Sequence, residues 1–154
     1  MTTAPDTRPL AVIERLLEAL NRHDLDAFVA CFAPDYRSEQ PLHPDRAFQG
    51  RDQVRQNWAA VFAGMPDVQW DLLRSVVSGD VVWVEVRGRG TRLSDGAHVA
   101  LGGVLINQVQ NEHIVSARIY FDEIAAAGAG IDSSIDELYR RASLDDGLRS
   151  TAND

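Results

Sequence analysis

Lysine is absent from this 154-residue chain, whose 15 basic residues are all arginine. Without a side-chain amine, lysine Schiff-base catalysis and covalently attached pyridoxal phosphate are excluded. Cysteine is almost as scarce. Cys31 stands alone, so there is no intrachain disulfide and no cysteine cluster for a structural zinc site, and a reducing cytoplasm is the expected setting. Long apolar runs are missing too: none approaches the ~18 residues that cross a bilayer, and Met1 to Arg8 lacks the apolar run of a secretory signal. Positive charge is in deficit. With a net charge of −8 and a pI near 4.9, neither nucleic acid nor an anionic membrane surface is an expected partner.

What the chain does have is enough apolar residue, 45%, for one domain with a single core. Residues 1–7 read as a disordered lead-in. Leu10, Ile13, Leu16, Leu17 and Leu20 then recur at helical spacing, and Asp24 can cap a shorter helix carrying Leu25, Phe28, Val29 and Phe32, with Pro34 at its end. A third helix is predicted after Gly50, with Val54, Trp58, Val61 and Phe62 on one face. Between the second and third, Tyr36 to Gln40 reads as a short strand with Tyr36, Ser38 and Gln40 on one side.

Four further strands, Val68 to Val77, Val81 to Arg92, His98 to Gln110 and His113 to Asp122, are separated by turns too short for anything but antiparallel pairing. The expected fold class is therefore α+β, a curved antiparallel sheet packed on three N-terminal helices. Residues 125–154 read as an extension: an Ala-Gly hinge, a short helix with Ile135, Leu138 and Tyr139, and a disordered tail. The last strand of the sheet has two unlike faces. Val115, Ala117, Ile119 and Phe121 alternate with Ser116, Arg118, Tyr120 and Asp122, and a carboxylate closing a polar row is a candidate acid or base.

This order of elements resembles the nuclear transport factor 2-like superfamily, in particular its SnoaL-like branch of polyketide cyclases and relatives. The likeness spans residues 8–124 and rests on Leu20-Asn21-Arg22-His23-Asp24-Leu25-Asp26-Ala27-Phe28, Phe32-Ala33-Pro34-Asp35, Phe48-Gln49-Gly50-Arg51-Asp52 and the terminal Tyr120-Phe121-Asp122. It implies a cone-shaped fold around a pocket, with Arg118, Tyr120 and Asp122 pointing into the cone. Val115, Ile119 and Phe121 would then form the outer surface of a homodimer.

The reaction depends on individual positions. The base of ketosteroid isomerases corresponds to Gln40, and their helix-one tyrosine to Leu16. The epoxide-hydrolase type shares the final carboxylate at Asp122, but Val86-Arg87-Gly88 lacks its second one, and Ser38 and Gln40 stand where its water-holding side chains would be. SnoaL-like cyclases pair a terminal-strand carboxylate with a pocket histidine. Asn107 and Gln108 occupy the preceding strand here, leaving His43 and His98 as the candidates.

The resemblance thus implies a cofactor-independent cyclase or isomerase acting on a hydrophobic polyketide-like or terpenoid-like small molecule, with no metal. Asp122, Tyr120 and His43 would be catalytic, and Gln40, Tyr36, Ser38, Trp58, Arg118 and His98 would bind substrate. The alternative is a ligand-binding or dimerisation module of the same fold that does no chemistry, and a further one an epoxide hydrolase.

Overall fold

A computed structural model describes residues 8–150. The predicted lead-in, residues 1–7, and the last four residues of the predicted tail lie outside the described residues. The described residues divide into two units, 8–124 and 125–150.

In the first unit, α1 (Arg8–Asn21) turns Val12, Ile13, Ala19 and Leu20 inward at the predicted helical spacing. Asp24 caps α2 (Leu25–Ala30) as expected, its carboxylate accepting from the Ala27 backbone N–H at 3.0 Å. The helix stops earlier than Pro34 suggested. Phe32 and Pro34 already belong to β1 (Phe32–Glu39), whose register is irregular between Phe32 and Arg37, and proline's missing N–H is tolerated in that gap. A two-residue strand with no sequence signal, β2 (Phe48–Gln49), precedes α3 (Arg51–Gly64).

The predicted meander follows as β3 (Gln69–Ser78), β4 (Val81–Thr91), β5 (His98–Gln110) and β6 (His113–Glu123), each antiparallel to the next. The sheet order is β2-β1-β6-β5-β4-β3, and β1 runs parallel to β6. The sheet is therefore mixed rather than wholly antiparallel. The α+β class and the packing of the three helices on one sheet face hold, with Phe28, Val82, Val84 and Ile114 in the core between them.

The interior face of β6 is the reverse of the expected one. Ser116 pairs with Gln108 but Ile114 with Val109, so Val115 is an extra residue, a β-bulge. The bulge shifts the strand's phase by one. Ile114 and Ala117 both face the core, Ile119 and Phe121 follow, and Ser116, Arg118, Tyr120 and Asp122 lie on the outer face. Burying the apolar row is the ordinary outcome for an amphipathic strand.

Gly103 makes a second local demand. Its φ is +153°, and a Cβ there would sit 2.1 Å from the Tyr120 carbonyl oxygen, so only glycine lets β5 and β6 come this close.

In the second unit, the predicted short helix is instead 21 residues long, α4 (Gly130–Ser150). Glu137 pairs with Arg141 one turn on, and Ile131, Ile135, Leu138 and Tyr139 recur along one stripe. No described helix is long and apolar enough to cross a membrane.

Replacing Gly103 by alanine is expected to destabilise the first unit by at least ~3 kcal/mol, since a backbone clash adds to an unfavourable φ. Urea denaturation followed by tryptophan fluorescence checks this.

Candidate functional site

The inner sheet face and the three helices enclose a cavity of ≈320 Å³. That is the size of a small-ligand pocket. Its wall is built from aromatic rings in sequence-distant elements. Phe28 of α2 meets Phe32 at 5.4 Å between centroids, Phe32 meets Tyr36 at 4.7 Å, and Tyr36 meets Phe48 at 6.0 Å. On the other side Phe28 meets Trp58 of α3 at 4.7 Å, Trp58 meets Trp70 at 6.3 Å, and Trp70 meets Phe121 at 5.5 Å. The result is a continuous aromatic arc lining the cavity.

Trp70 is fixed from both sides. The Asn21 side-chain amide, at the end of α1, donates to the Trp70 carbonyl and accepts from the Trp70 N–H, both at 2.8 Å, as a neighbouring strand would. Its ring lies over Gly88, where a Cβ would approach the indole to 2.5 Å. The indole therefore occupies the space of a side chain at position 88.

Polar groups are few. Tyr36 and Ser38 are buried, Gln40 is half-buried, and Asn107 is buried with its Nδ2 donating to the Val82 carbonyl at 3.5 Å. Asn57, exposed and bonded to Gln53, stands at the edge. Two buried donors have no well-formed hydrogen bond among the described residues: the Ser38 hydroxyl and the Trp70 indole N–H. Each such orphan costs ~1–3 kcal/mol. Burial pushes the Tyr36 phenol up to about 12, with the neighbouring Ser38 hydroxyl opposing the shift.

Of the residues singled out in the sequence, Tyr36, Ser38, Gln40 and Trp58 line this cavity. Asp122, Tyr120 and Arg118 do not, because the bulge turns them outward. Arg118 pairs with Glu39 and donates to the Tyr120 hydroxyl at 3.3 Å. The Asp122 side chain is 74% exposed and meets His43 Nε2 at 3.4 Å. The adjacent Glu123 N–H and then His43 hold its carboxyl below the ordinary value, the opposite of the raised pKa that an apolar pocket would impose. His98 is exposed beside Thr91 at 3.3 Å, and is likewise off the cavity wall.

The structure thus brings His43 and Asp122 together, but on the outside. Trp70 and Asn57 went unselected in the sequence. Trp70 is the large apolar residue between Gln69 and Asp71 in β3, and Asn57 interrupts the apolar face that Val54, Trp58 and Val61 define. Among the described residues no group of His, Cys, Asp or Glu side chains is arranged to hold a metal ion.

A family model for the SnoaL-like domain matches residues 13–117, from the first helix to the inward-facing Ala117. The chain belongs to the SnoaL-like family. Solved structures agree on the fold of this SnoaL-like protein. One from Jannaschia sp. CCS1, provisionally described as a SnoaL-like polyketide cyclase, superposes with a TM-score of 0.66 at 22% identity, covering 79% of this chain and 91% of its own. IdmH from Streptomyces antibioticus, provisionally a polyketide cyclase, gives 0.63 at 22% identity, with coverage of 75% and 91%. An NTF2-like protein of unknown function from Burkholderia pseudomallei K96243 gives 0.66 at 22% identity, with coverage of 76% and 92%. These identities establish the NTF2-like fold and leave the reaction open. No curated protein matches the sequence.

The raised phenol yields a test. An unfolded chain ionises this tyrosine near its ordinary 10.0, the folded one near 12. Between those values the folded state holds a proton that the unfolded state has lost, so stability is full below pH 10 and falls as pH rises to 12. The expected loss is ~2–3 kcal/mol. Tyr36→Phe should remove that part of the slope in denaturant midpoints measured against pH, the remainder coming from the Cys31 thiol, which burial also pushes up.

Proposed function

We propose that this SnoaL-like protein binds a small hydrophobic molecule inside the aromatic arc. The observation that carries the reading is the wall itself. Tyr36 is its one titratable side chain among the described residues, and its phenol, pushed up to about 12, is mismatched to proton transfer near neutral pH. A ligand-binding role is accordingly better supported than acid–base chemistry by Asp122.

One contact favours a second reading. His43, on a loop whose ends Gln40 and Phe48 both line the cavity, meets Asp122 of β6 at 3.4 Å. In this reading the pair transfers a proton at the rim during cyclisation or isomerisation of the bound molecule.

We also infer that two copies pair through the outer sheet face. Val76, Trp83 and Ile106 are directly opposite one another across β3, β4 and β5, and Trp83 is 47% exposed. The ion pairs Arg74–Glu85 and Arg118–Glu39 flank the row, so a two-fold partner meets both signs of charge beside an apolar strip.

Titration with 2-ethylnaphthalene should change the tryptophan fluorescence of the wild type. Ile119→Trp, which fills the cavity, should abolish that response, while Asp122→Asn should leave the affinity within about twofold. A 10²–10⁴-fold loss of turnover in Asp122→Asn on an identified substrate would instead establish the rim reading. In a separate experiment, light scattering after gel filtration should give a dimer for the wild type and a monomer for Trp83→Glu.

A further inference from the structure

Cross-strand register places three inward-facing positions in one row: Ser38 on β1, Ala117 on β6 and Asn107 on β5. Ala117 is the smallest of them and is flanked on both sides by polar side chains. This leaves a niche with a methyl floor, all three residues lining the cavity and all at least nine-tenths buried. The Ser38 hydroxyl at its edge has no well-formed hydrogen bond among the described residues. The Tyr36 phenol, beside Ser38, keeps its proton up to about 12 and so remains a donor at physiological pH.

We infer that the cavity's ligand is a neutral carbonyl compound, largely hydrocarbon, whose carbonyl oxygen sits over Ala117 within reach of the Ser38 hydroxyl. The inference rests on the ligand-binding reading above and adds the chemical class of the ligand and the place where its oxygen is held.

Three observations converge on this class. The cavity wall has no Asp, Glu, His or Arg among the described residues, so a charged ligand would be desolvated without a partner. Even where the Tyr36 and Ser38 hydroxyls meet each other, one of their two donors is left over, and a carbonyl oxygen supplies two acceptor lone pairs without bringing a donor that needs its own acceptor. Elsewhere the wall is aromatic and aliphatic, which suits a hydrocarbon body. Trp70, the other unmet donor, belongs to the Gly88 row. That row lies six residues along β4 from the Val82 row opposite Asn107, ~20 Å on an extended strand, so it does not share this oxygen.

Three probes of one shape test the inference by calorimetry on the whole protein: 2-acetonaphthone, 2-ethylnaphthalene and 2-naphthoate. The ketone should bind about 3- to 10-fold more tightly than the hydrocarbon, the effect of one net hydrogen bond, and the carboxylate most weakly. Ser38→Ala should bring the ketone down to the hydrocarbon's affinity and leave the hydrocarbon unchanged. Ser38→Thr, which keeps a hydroxyl, should retain the preference if the fold accepts the added methyl, as thermal denaturation will report.

Equal binding of ketone and hydrocarbon by the wild type would overturn the carbonyl assignment while leaving the ligand-binding reading intact. Tightest binding of naphthoate would overturn neutrality. A ketone preference that survives in Ser38→Ala would overturn the niche. Binding of none of the three would overturn the assignment together with the reading on which it rests.

Discussion

The indole of Trp70 laid on Gly88 is the contact on which the interior depends. A side chain at position 88 would have to occupy the space that the ring already fills, so the pair is complementary: a large aromatic on β3 requires its neighbour on β4 to be glycine. The Asn21 amide fixes the Trp70 backbone to the end of α1, and the ring then meets both Trp58 and Phe121. One residue thereby joins the first helix, the third helix and the last strand. The ring also closes the inner-face position at Gly88 to any side chain, a carboxylate included.

With that position closed, the chemistry available inside is narrow. Aromatic faces supply dispersion and a low dielectric, and the polar groups present are amides, hydroxyls and an indole. Such a wall recognises by shape and by a few hydrogen bonds. The ionisable side chains Asp122, His43, Glu39 and Arg118 are gathered on the outer side of the same sheet. The sheet thus keeps an aromatic lining on one side and charged side chains on the other.

Much of this was legible in the sequence because it depends on local periodicity. Leu10 through Leu20 announce α1, Asp24 caps α2, and Tyr36, Ser38 and Gln40 share a face because no irregularity separates them. The parallel pairing of β1 with β6 was not legible, since nothing local records which distant strand completes an edge. The length of α4 was hidden by a sequence polar on most of its circumference, with only a narrow stripe of apolar residues. The orientation of β6 was misread for a different reason. Alternation alone sends its apolar row to the core, whereas likeness to catalytic relatives sends its polar row there. Alternation proved the better guide, because burying Arg118 and Asp122 would require partners that the cavity wall does not provide.

The bulge at Val115 makes the interior of this protein a matter of phase. Ile114 and Ala117 lie on one side only because a single residue between them and their partners on β5 goes uncounted. The strand therefore carries two possible walls in one stretch of sequence, one of alanine, isoleucine and phenylalanine, the other of serine, arginine, tyrosine and aspartate. Losing the uncounted residue would leave both walls in place on a regular strand, whereas losing a counted one between Ser116 and Phe121 would send the residues on one side of the gap to the opposite face.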